Sequence, residues 1–267
     1  MTHQTIIIAQ IVERKWVNMS KFFVISDVHG FYDEMIASLE KAGFDRHNSD
    51  HWLVVCGDCF DRGPKPIEVM QYLIGLPRKV LVRGNHESLL QDLCDRGYPG
   101  SHDISNGTYD TVCEFGGAGL GRSFEECCFI TEARTKSFLY SMVNYFETKN
   151  YIFVHSFVPL KNLDGAPMYY TRNRKFAINP DWRHAHASDW EEARWGNPFE
   201  LAQQGFLPDK TLVFGHWSTY DQRPYEYYDN DDLFDPIYGD GYIGIDATTA
   251  LSGQVNVLVL EDEFLEE

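Results

Sequence analysis

Five short segments of this sequence carry side chains of the kinds that bind metal ions. Three are S-D-V-H-G (26–30), G-D-C-F-D-R-G (57–63) and R-G-N-H-E (83–87), and the other two are histidines that follow apolar runs. A mixed set of carboxylate, amide and imidazole groups without a thiolate suits manganese, iron, zinc or magnesium. The candidate ligands are Asp27, His29, Asp58, Asn85, His155 and His216.

Each segment alone is a weak signal. Asp27 and His29 are two residues apart on a chain leaving a strand, so both side chains can project the same way. The same pair is also compatible with a capping aspartate beside a half-buried histidine. G-D-x-x-D-R-G is compatible with a salt-bridged turn, and G-N-H-E with a helix cap. No structural requirement produces all five segments at successive strand ends, so their order and shared location favour a metal site.

The elements that position these segments are apolar runs with the character of strands. Residues 22–26, 52–56 and 79–82 predict three strands, and each is followed by a helical pattern. Alternating strands and helices imply a parallel sheet with helices on its faces. Ligands bind such sheets at the edge where the carboxyl ends of the strands lie. The candidate ligands are therefore expected to meet at that edge.

The rest of the chain is predicted to complete a single domain over residues 19–267. Residues 97–150 favour a helical insertion, with a helix over 132–147, and residues 1–18 favour a disordered extension ahead of a second methionine. Further apolar runs predict a second set of strands, at 151–155, 211–216, 241–246 and 255–262.

The charge balance disfavours several classes of partner. The chain has 23 basic and 40 acidic residues, a net charge of −17. Such an acidic protein repels nucleic acid and lacks the binding free energy that basic side chains provide by neutralising backbone phosphates. Duplex DNA or RNA is therefore not an expected partner. No apolar run in the sequence reaches the length of a membrane span, so we expect no membrane partner and a cytoplasmic location. The sequence does not indicate the oligomeric state.

The three motifs together resemble the signature of PPP-type serine/threonine phosphatases of the calcineurin-like metallophosphoesterase superfamily, above all the compact bacterial and phage forms. V-H (154–155) and G-H (215–216) resemble the later histidine motifs of that family, and the resemblance runs from about residue 21 to the C-terminus. It implies a four-layer α/β fold. Two mixed β-sheets would pack face to face with flanking helices, and the metal site would lie at the C-terminal edge of the strands.

The resemblance also implies two divalent metal ions, with manganese expected and iron, zinc or magnesium as the other candidates. Such a pair supplies a hydroxide nucleophile near neutral pH and stabilises the charge that builds on phosphate during in-line attack. Asp58 would be shared between the two ions. The implied ligands are Asp27, His29 and Asp58 for one ion, and Asp58, Asn85, His155 and His216 for the other.

Further residues acquire roles by the same resemblance. His86 would be a general acid rather than a ligand, paired with Asp61 of the D-R-G motif. Arg62 would bind phosphate oxygens, and Asn85 would face the same phosphate. Arg194, beside Trp195, is the candidate for a second arginine that the family uses. A guanidinium makes bidentate phosphate contacts that a lysine cannot copy.

Three functions are compatible with these motifs. The leading hypothesis is a metal-dependent phosphoric ester hydrolase acting on phosphomonoesters, above all phosphoserine or phosphothreonine in proteins. The alternative is a hydrolase of dinucleoside polyphosphates such as diadenosine tetraphosphate, which needs the same metal site. An inactive metal-binding module is the third hypothesis, and the presence of every ligand, His86, Asp61 and Arg62 disfavours it.

Several weaker signals leave alternatives open. Asp246 is compatible with a partner for a ligating histidine or with a strand-end turn, and Asn106-Gly107-Thr108 with a substrate contact or a helix start. Phe157 is expected to reshape the pocket. The acidic, tyrosine-rich segment 225–235 is compatible with a substrate-selecting rim or a solvated loop. Side chains expected to lie outside any site are Cys56 and Cys59 of a C-x-x-C, and the solvated histidines His184 and His186.

Overall fold

The computed structural model describes residues 19–165, 174–224 and 230–265. The predicted extension 1–18 and part of the acidic segment, residues 225–229, lie outside this described part. Two β-sheets form the centre of the fold, which confirms the expected α/β class with two mixed sheets and flanking helices.

The first sheet contains the three strands that the N-terminal sequence predicts. Its three parallel strands are joined by an antiparallel strand at one edge. This edge strand comes from the run 255–262. The prediction that this run belongs to the second set of strands is wrong, because the strand pairs with the first strand of this sheet. The spatial order is β11 Leu258–Asp262, β1 Ser20–Ile25, β2 His51–Cys56 and β3 Lys79–Val82.

Two amphipathic helices connect the parallel strands, α1 Tyr32–Lys41 and α2 Pro66–Ile74. Met35 and Leu39 of α1 lie one turn apart and are both buried against the sheet. Proline at the start of α2 removes an amide that would have no helical partner, as the sequence predicts. Both helices place their apolar residues in one cluster on the outer face of the first sheet.

The region from α3 to α6 is helical, but the helix expected over 132–147 has different ends. Its N-terminus lies earlier because Ser123 and Glu126 form a reciprocal capping box. It ends at Tyr140, since the backbone of Val143 bonds to Leu81 and Arg83 beside β3. The helices here are α3 Asn85–Arg96, α4 Ser101–Asn106, α5 Thr108–Gly116 and α6 Phe124–Tyr140.

The second sheet has three central parallel strands with an antiparallel strand on each side. The predicted strands at 151–155, 211–216 and 241–246 are its three central strands, with the two last residues of each run lying beyond the strand end. The spatial order is β4 Phe146–Glu147, β5 Tyr151–Phe153, β8 Thr211–Phe214, β10 Tyr242–Gly244 and β9 Ile237–Gly239.

Apolar side chains from both sheets meet in one buried layer. Phe22 and Val24 of β1 contact this layer from the first sheet, and Phe153 and Val213 contact it from the second. Burial of such side chains stabilises by roughly 1.5–3 kcal/mol each. The sheets therefore pack face to face, with the carboxyl ends of their parallel strands close together.

The segment between β5 and β8 covers the outer face of the second sheet. It contains a pair of short antiparallel strands and two helices, and Trp182 and Trp190 are buried in its apolar cluster. No helix in the described part of the chain is long and apolar enough to cross a membrane. The remaining elements are β6 Lys161–Asn162, β7 Phe176–Ala177, α7 Ala187–Ala193, α8 Pro198–Gln203 and α9 Thr249–Ser252.

Candidate metal centre and active site

The predicted ligands lie together where the parallel strands of both sheets end. The first sheet presents them after β1, after β2 and at the first residue of α3, and the second presents them after β5 and β8. All are buried apart from a partly exposed imidazole at the end of β8. The residues brought together are Asp27, His29, Asp58, Asn85, His155 and His216.

Asp58 occupies the centre of this cluster. On one side, its Oδ2 lies 3.7 Å from His29 Nε2, which is 3.9 Å from Asp27 Oδ1. On the other side, its Oδ1 lies 3.4 Å from His155 Nε2. The same His155 nitrogen is 2.7 Å from Asn85 Oδ1 and 3.1 Å from His216 Nδ1. Two groups of oxygen and nitrogen atoms therefore share one carboxylate.

The three histidines of this cluster are oriented by backbone carbonyls. His29 Nδ1 lies 2.8 Å from the Phe60 carbonyl oxygen, and His155 Nδ1 lies 2.9 Å from that of Cys56. A carbonyl can only accept, so these Nδ1 atoms carry the proton, and each Nε2 of a neutral ring presents a lone pair to the cluster. The His216 ring also bonds to the backbone of Trp195, but it is its Nδ1 that faces the cluster. Such bonds fix the tautomer that a metal ligand needs.

Burial keeps these imidazoles neutral. It lowers the pKa of His29 and of His155, and it lowers the pKa of His216 to about 3 with help from neighbouring His155. A histidine binds a metal ion through the lone pair of its neutral form. The electrostatics of the cluster therefore suit ligation near neutral pH.

Two carboxylates at the site have raised pKa values, because several negative groups are buried close together. Burial, Asp246 and Asp58 raise the pKa of Asp27 well above its usual range. Burial also raises the pKa of Asp246 to about 6. Buried carboxylates without compensating positive charge are costly, and cations relieve this cost. The donor set, its tautomers and its crowded charge fit two divalent metal ions.

The backbone of the site is held in an uncommon conformation. Non-glycine residues adopt the left-handed region rarely, and each instance costs about 1–3 kcal/mol unless the surroundings enforce it. Such positions cluster at functional sites, and in the described part of the chain all but one belong to this site. With their φ angles they are Asp27 (50°), His29 (48°), Asp58 (55°), Asp61 (71°), Arg62 (60°) and His216 (67°), the exception being Thr248 (51°).

Glycines of the motifs make room for the ligands. A Cβ on Gly84 would lie 2.1 Å from Asp58 Oδ1, and one on Gly215 would lie 2.0 Å from Asp27 Oδ2. Real Cβ atoms do not approach so closely, so any side chain at either position would displace the carboxylate. The glycines of G-N-H-E and G-H are therefore required by the close approach of the ligands.

His86 lies beside the cluster. Its Nδ1 is 2.6 Å from Asp61 Oδ2, and its Nε2 is 3.8 Å from Asp58 Oδ2. Burial opposes a charged ring, but Asp58 and Asp61 outweigh it and raise the pKa of His86. A protonated imidazole does not ligate a metal ion but can donate a proton. His86 Nε2 also lies near His29 and Asp58, and the raised pKa distinguishes it from the neutral histidines.

The two candidate arginines have different surroundings. Arg62 is exposed, with its Nη1 2.7 Å from His29 Nε2 and its Nη2 3.1 Å from His86 Nε2. Arg194 is buried directly after α7, where its Nη1 donates to Glu191 at 2.5 Å and its Nη2 donates to Asn144 at 2.6 Å. Among the described residues, the Arg194 Nε–H has no partner. Contact with a phosphate therefore requires Arg194 to use this Nε–H or to exchange a present partner.

Comparison with known proteins gives the family of the chain. The family model described as calcineurin-like phosphoesterase matches residues 20–246, which include every motif above. The chain belongs to this family. This confirms the family that the three motifs predict.

Curated relatives of this phosphoesterase match over part of their length. A segment is 46% identical over 72 residues to "Bis(5'-nucleosyl)-tetraphosphatase PrpE [asymmetrical]" of Bacillus velezensis, covering 24% of this chain and 29% of that protein. Another is 46% identical over 66 residues to "Bis(5'-nucleosyl)-tetraphosphatase, symmetrical" of Klebsiella pneumoniae, covering 24% of this chain and 23% of that protein. The match thus spans less than a third of either relative.

Among solved structures, the phosphoesterase resembles one titled "Crystal structure of a putative diadenosine tetraphosphatase". The TM-score is 0.51 at 15% sequence identity, and the alignment covers 93% of this chain and 95% of that one. At this identity the likeness concerns the fold.

Glu87 of the phosphoesterase is a buried residue to which sequence reasoning gave only a capping role. Its Oε2 accepts the amides of Gly84 and Asp58 at 2.8 and 3.0 Å, and its Oε1 accepts that of Cys59 at 2.8 Å. It therefore caps α3 and also fixes the loop that carries Asp58. The glutamate of G-N-H-E was the signal available in the sequence.

The weaker signals have mixed outcomes. Phe157 packs in the apolar cluster on the second sheet, so the expectation that it reshapes the pocket is wrong. Instead, the partly exposed rings of Trp195 and Trp217 lie 6.3 and 6.5 Å from the His216 ring. The Asp246 side chain accepts the Thr248 amide at 2.7 Å, as in a strand-end turn. His184 and His186 are exposed, as expected for solvated side chains, and Cys56 and Cys59 are buried free thiols.

Proposed function

We propose that this phosphoesterase hydrolyses its substrates at a centre of two divalent ions held by the six clustered ligands. The observation that carries the proposal is the shared position of Asp58 between two donor groups, with His86 and Asp61 directly beside them. Two bound cations would supply a hydroxide nucleophile and neutralise phosphate oxygens. Manganese is the ion we expect first, and iron, zinc and magnesium fit the same donors.

The protein's own side chains would act on the substrate from one side of this centre. Arg62, which is exposed and in contact with His29 and His86, would bind phosphate oxygens through its planar guanidinium. Arg194 would add a second contact through its Nε–H, which has no partner among the described residues, and Asn85 would lie beside the same phosphate. His86, held through Nδ1 by Asp61, would donate its Nε2 proton to the departing oxygen.

For the substrate, we propose a dinucleoside polyphosphate such as diadenosine tetraphosphate rather than a phosphoprotein. The names of the curated relatives support this alternative better than our leading sequence hypothesis. Trp195 and Trp217 beside His216 offer partly exposed indoles on which a base can stack. Such a substrate is a polyanion in a protein of net charge −17, so binding depends on the cations and on Arg62.

The test uses protein stripped of metal and then supplied with manganese. Diadenosine tetraphosphate and a phosphoserine peptide are compared as substrates, with products separated by chromatography. We expect manganese-dependent hydrolysis that prefers the dinucleotide and that falls about 10²- to 10⁴-fold in His86→Asn. His184→Asn is the matched control, because this imidazole is 81% exposed and bonds to Asp181, three residues before it in the chain.

Two other outcomes would change the proposal. A preference for the phosphopeptide, with the same dependence on manganese and His86, would retain the metal mechanism and replace the substrate. Stoichiometric metal binding without turnover of either substrate or of p-nitrophenyl phosphate would contradict the enzyme itself and favour an inactive module.

A further inference from the structure

A buried threonine at the start of α5 contacts the proposed acid–base pair. Thr108 is fully buried, and its Oγ1 donates to Asp61 Oδ2 at 2.7 Å. The same Asp61 oxygen accepts from His86 Nδ1 at 2.6 Å. The other oxygen, Oδ1, is buried and has no hydrogen-bond partner among the described residues. Asp61 is thus positioned through one oxygen that two donors share.

The same end of α5 also fixes the backbone of Asp61. The Thr111 Oγ1, one turn after Thr108, accepts the Asp61 amide at 3.0 Å. Gly107, with φ of +83°, packs so closely that a Cβ there would lie 2.5 Å from the Arg62 nitrogen. This contact stabilises the left-handed conformation of Asp61 and Arg62. Asn106 therefore ends α4, while Gly107 and Thr108 start α5 and also support the D-R-G loop.

We propose that Thr108 is a positioning residue of this phosphoesterase, whose hydroxyl orients the Asp61 carboxylate and through it the proton-donating ring of His86. The proposal rests on the proposed function. Without the Thr108 hydroxyl, the Asp61 carboxylate would keep a single side-chain donor, His86 itself, and could rotate with it. The imidazole would then sample orientations in which Nε2 does not face the departing oxygen, and proton donation would slow.

A purely structural role for Thr108 would have different consequences from a positioning role. If Thr108 only attaches the helical region to the sheet, its loss affects stability and the hydrolysis of every ester to a similar extent. If Thr108 positions the proton donor, the loss depends on the leaving group. A phenolate leaves with difficulty unless it is protonated, whereas dinitrophenolate leaves without a proton.

The experiment compares Thr108→Val and Thr108→Ser with the wild type on phenyl phosphate and dinitrophenyl phosphate, all loaded with manganese. We expect Thr108→Val to lower kcat on phenyl phosphate by about 10-fold or more, a part of what general acid catalysis supplies. KM, metal content and kcat on dinitrophenyl phosphate should change little, and Thr108→Ser should restore the lost activity. Thr135→Val is the matched control, since Thr135 is equally buried but donates to the Thr131 carbonyl within α6.

A double-mutant cycle adds a test that does not depend on the choice of ester. In an Asp61→Asn background, Thr108→Val should cause no further loss on phenyl phosphate, because residues that act through one another are not additive. If Thr108→Val does not accumulate in folded form, Thr108→Ala carries the same comparison without a misplaced methyl group.

Equal losses on both esters, failure of serine to rescue, or additive losses in the cycle would overturn the role of Thr108 and leave the proposed function intact. A wild-type protein that cleaves neither these esters nor diadenosine tetraphosphate with any divalent ion would instead overturn the proposed function, and the role of Thr108 with it.

Discussion

Two buried carboxylates lie near opposite ends of β1, and they differ in what surrounds them. Asp262 pairs with Ser20 at the start of β1, whereas Asp27 follows its end. The Asp262 oxygens accept from Thr148 Oγ1 at 2.7 Å and from Asn150 N and Nδ2 at 2.9 and 2.7 Å. Burial alone would raise the pKa of Asp262, but these bonds outweigh it and lower the pKa.

Asp27 is equally buried, but two other carboxylates, Asp246 and Asp58, act on its charge. Its Oδ2 accepts the His216 amide at 2.9 Å, while burial, Asp246 and Asp58 raise its pKa. A buried carboxylate that the protein satisfies with its own donors is a structural group. One that is crowded by like charges needs cations from outside. Asp262 is thus a structural group that holds β11 to the β4–β5 turn, whereas Asp27 is suited to metal binding.

The largest expected difference concerns activity. Asp58→Asn removes the carboxylate shared by both donor groups, and we expect kcat to fall by at least about 10³-fold, because bound cations contribute several kcal/mol to the transition state. Asp262→Asn should leave kcat unchanged. Steady-state kinetics with added manganese, together with metal content per chain, test this contrast. A kcat of Asp58→Asn similar to that of the wild type would contradict the role of Asp58 as the shared ligand.

The next difference concerns stabilisation by metal. A ligand at 100 times its Kd stabilises the folded state by about 2.7 kcal/mol. We expect wild type and Asp262→Asn to gain such an increment when manganese is added to the stripped protein, and Asp58→Asn to lose most of it. Urea unfolding with and without the ion measures the gain. An increment retained in Asp58→Asn would show that the ion binds elsewhere.

Stability in the absence of metal should depend on Asp262. Asp262→Asn weakens three hydrogen bonds to a carboxylate, and we expect a loss of about 1–3 kcal/mol at neutral pH. Because the folded-state pKa of Asp262 is lowered, its contribution is complete above the unfolded value of about 3.9 and is lost as the pH falls through the folded value. Unfolding free energies measured from pH 7 downward should therefore converge between wild type and variant in acid. Parallel curves would contradict this assignment.

The smallest expected effect is a gain in stability of the metal-free protein, in contrast to the loss expected for Asp262→Asn. In chelated protein, Asp246→Asn removes one of the crowded charges beside Asp27, while the amide oxygen can still accept the Thr248 amide. We expect the variant to be as stable as the wild type or more stable by up to about 1 kcal/mol. Thermal unfolding in the presence of a chelator checks this expectation. A loss similar to that of Asp262→Asn would mean that Asp246 is a structural carboxylate.

The parallel strands and the chemistry at their ends could be predicted because both depend on local sequence. Apolar runs at 22–26, 52–56 and 79–82 specify the strands, and each motif directly follows its strand. The helix predicted over 132–147 failed at both ends. Its start depends on the capping pair Ser123 and Glu126, and its end depends on pairing of Val143 with the edge of β3. The second of these causes is a tertiary contact that a helical pattern cannot reveal.

The sequence by itself determined which kinds of donor this protein has and the strand ends at which they lie. Residue types and their spacing along short segments suffice for this, since a motif and the strand before it are covalently connected. The tertiary structure alone decided which donors share partners. The Thr108 hydroxyl reaches Asp61 across 47 residues, and Thr148 satisfies Asp262 across 114. Whether a buried carboxylate is satisfied or crowded depends on such distant contacts, and these form only when the two sheets and the helices pack together.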